Sequence, residues 1–123
     1  MTMSPKILII DSHPVYILKM EGFLRGLTLN NIILTKTGKE GIEKAKSESP
    51  DLIILSGMLP DMNSQEVCGT VKAASPSAGI IVQVGLFTED KAIEEFKECG
   101  ADFVLDRKEK DLSPLQEAIA QLI

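Results

Sequence analysis

Four apolar, β-branched runs in this 123-residue chain end on residues able to do chemistry. Ile7 to Ile10 runs into Asp11-Ser12-His13, Leu52 to Leu55 into Ser56-Gly57-Met58, Ile80 to Val84 into Gly85-Leu86, and Phe103 to Leu105 into Asp106-Arg107-Lys108. A hydroxyl nucleophile at Ser56 needs a base to take its proton, and no acid or histidine is evident near it beyond Asp11 and His13. A hard divalent cation needs anionic oxygens, normally one or two carboxylates alongside water. The planar fork of Arg107 suits a carboxylate or another anion, which leaves two roles open: an external anion, or a local ion pair with Asp11 or Asp106.

These residues need elements that bring them together. The four runs read as strands buried on two faces, and Ile32 to Leu34 as a short edge strand. Between them lie helical patterns. Pro14 suits a first helical turn, followed by Ile17, Met20, Phe23, Leu24 and Leu27 at helical spacing. Glu40 to Ser47 carries Ile42 and Ala45 on one side, and Ser64 to Ala74 carries Val67, Cys68 and Val71. Thr88 is the expected N-cap of a helix over Glu89 to Glu98, with Gly100 as its stop. A last helix starts near Ser113-Pro114 and is expected to bury Leu115, Ile119 and Leu122. Strands alternating with helices call for a parallel sheet covered on both faces by right-handed crossovers, a three-layer α/β/α sandwich. In such folds ligands sit beyond the carboxyl ends of the strands, where the four chemical segments above collect.

Composition narrows the function classes. The length suits a single domain over residues 1–123, with a core large enough to need neither disulfides nor a structural metal. A formal net charge of -5 argues against a nucleic-acid partner, since such binding draws on clustered Lys and Arg. No apolar run is long enough for a bilayer span, and Met1 to Pro5 leads straight into a strand without a signal-peptide core, so no membrane role and a cytoplasmic location are expected. Cys68 and Cys99 stand outside any zinc or disulfide spacing and read as buried free thiols.

Three segments together, Ile7 to Pro14 (ILIIDSHP), Pro50 to Met62 (PDLIILSGMLPDM) and Gly100-Ala101-Asp102, resemble the receiver domain of bacterial response regulators. The resemblance covers nearly the whole chain and implies a CheY-like, flavodoxin-like sheet of order 2-1-3-4-5 with five helices, which the periodicity alone does not fix. It also implies a phosphorylation site in which this sequence departs at most positions. The first of two metal-binding acids is kept as Asp11, and the second falls on Ser12. The acceptor aspartate falls on Ser56, the strand-four hydroxyl on Val84, the strand-five aromatic on Val104, and the lysine on Arg107, while the loop scaffold from Met58 to Met62 remains. With one carboxylate left, the magnesium site is expected to be lost or very weak, and no other cofactor is implied.

The resulting expectation is a stand-alone pseudo-receiver, not an enzyme, that binds another signalling protein without an aspartyl phosphate. By analogy with receivers, the contact face is helix four, strand five and helix five, with Lys91, Glu95, Val104 and Asp106 as candidates and a homodimer as a possible outcome. The alternative is an active phosphoacceptor that uses Asp11 or Asp61. A remoter one is a cobalamin-binding domain: Asp11-Ser12-His13 resembles part of that family's motif, but Tyr16 stands where its glycine is expected. Ser56 is also open to a Ser/Thr kinase, or to packing or hydrogen bonding to a neighbouring loop. The acidic stretch from Glu89 to Glu98 reads as a solvated helix face.

Overall fold

The computed structural model describes residues 4–85, 88–107 and 111–123. Five strands alternate with five helices: β1 (Ile7–Ile10), α1 (Pro14–Gly26), β2 (Ile32–Thr35), α2 (Gly38–Glu48), β3 (Leu52–Ser56), α3 (Ser64–Ala74), β4 (Gly79–Val84), α4 (Asp90–Glu98), β5 (Phe103–Asp106) and α5 (Ser113–Leu122). All pairings are parallel and the order is β2-β1-β3-β4-β5, the doubly wound arrangement expected from the resemblance.

Every residue of β1, β3 and β4 is buried, which explains why their sequences run apolar without alternation. The period of two still decides the face. Leu8, Ile10, Ile53 and Leu55 point toward Ala45 of α2, Val67 and Val71 of α3 and Phe96 of α4. Ile7, Ile9, Leu52 and Ile54 point toward Met20 and Leu24 of α1 and Leu115 and Ile119 of α5. The chain therefore carries two cores, one on each side of the sheet. Phe103 packs on the α1/α5 side and Val104 on the other, the alternation expected along a strand.

Helix ends follow local chemistry. Pro14 opens α1 behind His13 as N-cap, and the side chains of Thr37 and Asn63 accept the Glu40 and Glu66 N–H groups at the starts of α2 and α3. Beyond α4, Gly100 takes φ 114, where a Cβ would sit 2.7 Å from Lys72 Cγ. The expected Thr88 cap is corrected. α4 starts at Asp90 with Glu89 as N-cap and no side-chain capping bond, and the Thr88 N–H donates to the Gly85 carbonyl at 3.1 Å. Phe23, Leu27 and Leu122, expected in the core, are half-buried at its margins.

Helix α2 approaches β1 closely enough to require glycine. A Cβ on Gly41 would stand 2.5 Å from Ile10 Cδ1 and 2.7 Å from its Cγ1. Gly41→Ala is therefore expected to lose about 1–3 kcal/mol by overpacking, despite the helix propensity that alanine brings. In urea denaturation, adding Ile10→Ala should make the two losses sub-additive; strict additivity would mean that Ile10 is not the obstacle.

Candidate functional site

The carboxyl ends of β1, β3, β4 and β5 open into one cleft with two lobes. The first, of about 380 Å³, lies between Asp11 to His13 and the loop from Met58 to Pro60. The second, of about 560 Å³, runs from Gly57 and Val84 to Thr88 and Ala92 at the start of α4. Ser56, Met58 and Arg107 line both.

Asp11 follows β1 and its side chain is only 5% exposed. One oxygen, Oδ1, accepts the His13 backbone N–H at 2.9 Å, and Oδ2 accepts from Arg107 Nη2 at 2.6 Å. Both carboxylate oxygens are thus engaged. Of the two local partners weighed for Arg107, the structure pairs it with Asp11; Asp106 is exposed. Arg107 is positioned by its own backbone, whose N–H donates to the Val84 carbonyl at 2.8 Å, and by Tyr16, whose ring centroid lies 4.1 Å beneath the guanidinium. The Tyr16 hydroxyl accepts from buried Gln83 Nε2 at 2.9 Å.

Ser56 ends β3, 5% exposed, and its hydroxyl is turned back on its own loop. Oγ donates to the Met58 carbonyl at 2.9 Å and accepts the Met58 N–H at 3.2 Å. The expected hydrogen bond to a neighbouring loop is thus replaced by bonds to the loop that Ser56 itself begins. Val84 fills the space beside Gly57, where a Cβ would come within 2.9 Å of Val84 Cγ1. Ser12 is exposed at the rim, and Met58 projects from the loop at 82% exposure. His13, also exposed, serves locally: its Nδ1 accepts the Tyr16 N–H at 3.2 Å and caps α1.

The other candidates fall elsewhere. Lys91 is exposed and Glu95 half-buried on α4, while Val104 is half-buried and Asp106 exposed on β5. Leu86 and Lys108 lie outside the described residues. Cys68 is buried in α3, where desolvation pushes its thiol up to about 11; Cys99, expected to be buried as well, is half-buried at the end of α4. Asp61 is not in the cleft's acid position but reaches across to α2, accepting the Gly38 N–H at 2.8 Å and the Lys39 N–H at 3.1 Å. Among the described residues no group of three or more His, Cys, Asp or Glu side chains converges as a metal-binding set. None of their helices is long and apolar enough to cross a membrane.

Tyr16 and Gln83 were not among the sequence candidates. The available signals were the four-residue spacing of Tyr16, Met20 and Leu24, and a lone amide inside an otherwise apolar strand.

Residues 7–120 match the family model described as the response regulator receiver domain. The regulatory protein LuxO of Vibrio vulnificus is 35% identical over 81 residues, covering 66% of this chain but only 18% of that protein. This chain therefore spans less than a fifth of the length of such relatives. A two-component response regulator from Clostridium difficile superposes with TM-score 0.87 at 27% identity over 96% of this chain and 94% of that one. The receiver domain of a sensor histidine kinase from Pseudomonas aeruginosa, solved with a magnesium ion coordinated in its active-site cleft, gives TM-score 0.85 at 19% identity, covering 98% of each chain.

The two N–H groups of α2 hold the Asp61 carboxyl below its usual value of 3.8, the Gly38 N–H contributing most. A lowered folded pKa adds stability that is present above the unfolded value and lost as pH falls through the folded one. Asp61→Ala should therefore be less stable than the parent at neutral pH, with the gap closing below pH 3.8 in urea titrations. A gap that persists in acid would mean that packing, not the charged cap, is what Asp61 supplies.

Proposed function

The chain belongs to the response regulator receiver family, and from that premise we propose that it is a pseudo-receiver: a two-component signalling module that binds another protein without an aspartyl phosphate. The observation that carries this reading is the state of the acid pocket. The position of the acceptor holds Ser56, whose hydroxyl is spent on the Met58 backbone, and the remaining acid, Asp11, is bound to Arg107. An acyl phosphate forms on a carboxylate nucleophile, and a serine hydroxyl replaces it only when a base takes its proton.

The donor set does not fit magnesium. Such an ion wants near-octahedral oxygen ligands including one or two carboxylates, whereas Asp11 is the one carboxylate here, already paired with a cation, and Ser12 and Ser56 offer only neutral hydroxyls. The guanidinium adds like-charge repulsion, about 8 kcal/mol for a divalent ion ~4 Å away at an effective dielectric near 20. No step in this reading passes through a metal or other cofactor, and the module is not an enzyme.

The competing reading, an active phosphoacceptor at Asp11 or Asp61, meets the same difficulty. Asp11 is paired to Arg107, and Asp61 is committed to the start of α2. A cobalamin role for His13 is disfavoured by its use as the α1 cap. The partner is another signalling protein or a second copy of this chain, held at the face of α4, β5 and α5 through Lys91, Glu95, Val104 and Asp106. The net charge of -5 is consistent with a protein partner and not with nucleic acid. The setting is cytoplasmic.

Incubation with magnesium and acetyl phosphate, read by intact mass, is expected to leave the protein unlabelled. Beryllofluoride should leave the amide signals of Ser12, Ser56 and Arg107 unshifted. Ser56→Asp alone is also expected to stay unlabelled, because the second acid, the strand-four hydroxyl and the lysine are still missing. A labelled wild type, or a clear gain from Ser56→Asp, would sink the reading.

A further inference from the structure

We infer that Arg107 is the resident cation of this cleft, a guanidinium that takes the electrostatic place of an exchangeable metal ion beside Asp11 and holds the strand ends in one arrangement. The inference rests on the pseudo-receiver reading and names what keeps that site closed to divalent ions.

Four contacts form a closed circuit. Asp11 Oδ2 binds Arg107 Nη2 at 2.6 Å, the guanidinium lies 4.1 Å above the Tyr16 ring, the Tyr16 N–H donates to His13 Nδ1, and the His13 N–H returns to Asp11 Oδ1. Two further bonds tie this circuit to β4: the Arg107 N–H to the Val84 carbonyl, and Gln83 Nε2 to the Tyr16 hydroxyl. The ends of β1, β4 and β5 and the first turn of α1 are thereby joined around a single positive charge.

That charge differs from a bound ion in two ways. It is covalently attached, so its occupancy does not follow the supply of any ion. It is also held in a plane, by the aromatic face below and the carboxylate at its edge, with only 21% of the side chain exposed. An incoming divalent ion must either displace the guanidinium from Asp11 or share one carboxylate with it, against like-charge repulsion in both cases.

Tyr16 gives a built-in reporter, because the chain has one tyrosine and no tryptophan. Magnesium chloride is titrated at constant ionic strength into wild type, Arg107→Gln and Arg107→Gln/Asp11→Asn, following tyrosine fluorescence and the amide signals around Asp11. Wild type is expected to stay flat to ~20 mM, while Arg107→Gln gains a saturable response at least roughly tenfold tighter than any in wild type. The double variant should lose that response. A saturable wild-type response, or an Arg107→Gln variant as flat as wild type, overturns the inference. Should Arg107→Gln fail to fold, Arg107→Met replaces it: it keeps much of the apolar stem but loses the charge, so a response is expected, and a flat titration is equally fatal. Phosphoryl labelling tests the pseudo-receiver reading alone, and the magnesium response of the Arg107 variants tests the resident cation alone, so the two fail separately.

Discussion

A nearly buried carboxylate at the end of β1 must be neutralised, and here the chain does it from within. The Asp11–Arg107 pair is the constraint around which the carboxyl end of the sheet is arranged. Charge-assisted bonds of this kind are strong, and removing one partner leaves the other uncompensated, so neither residue is independently adjustable. The neighbouring features follow from that demand. Tyr16 supplies a π face for the guanidinium, Gln83 fixes the Tyr16 hydroxyl, and the Val84 carbonyl sets where the Arg107 backbone begins.

The rest of the fold makes this arrangement possible by being apolar on both sides. With β1, β3 and β4 buried throughout, polar groups concentrate where the strands stop, and the doubly wound order brings those stops together. The two cores are separate sets of side chains on opposite faces. Their common boundary at this end is the layer of Asp11, Ser56, Gln83 and Arg107, so α1 and α4 meet the same polar group from different sides.

Local chemistry made much of this legible from sequence. Apolar runs, Pro14 and Gly100 each act within a few residues, and the strands, α1 and the end of α4 appear where those signals put them. The start of α4 was misplaced by one residue because Thr88 is a good cap by type, yet Glu89 holds the N-cap position without a side-chain bond. The pairing of Arg107 with Asp11 was open to a reading by resemblance, which places both at the same end of the sheet. What sequence did not expose was the support beneath it. Tyr16 and Gln83 stand 67 positions apart and meet only because α1 packs over β4, and no periodicity records which polar atoms two buried side chains will share. Asp61 is a similar case, since its carboxylate caps a helix that starts 23 residues earlier.

The loop carrying Met58 has a mechanical character. At its base the Ser56 hydroxyl binds both the N–H and the carbonyl of Met58, and at its far end Asp61 is clamped to α2, while the Met58 side chain itself stands in solvent. An apolar knob on a stiffened stalk has already lost its backbone freedom during folding. Contact with another surface would cost it little more than the rotamers of one thioether chain, and conformational entropy is a main charge against forming any interface.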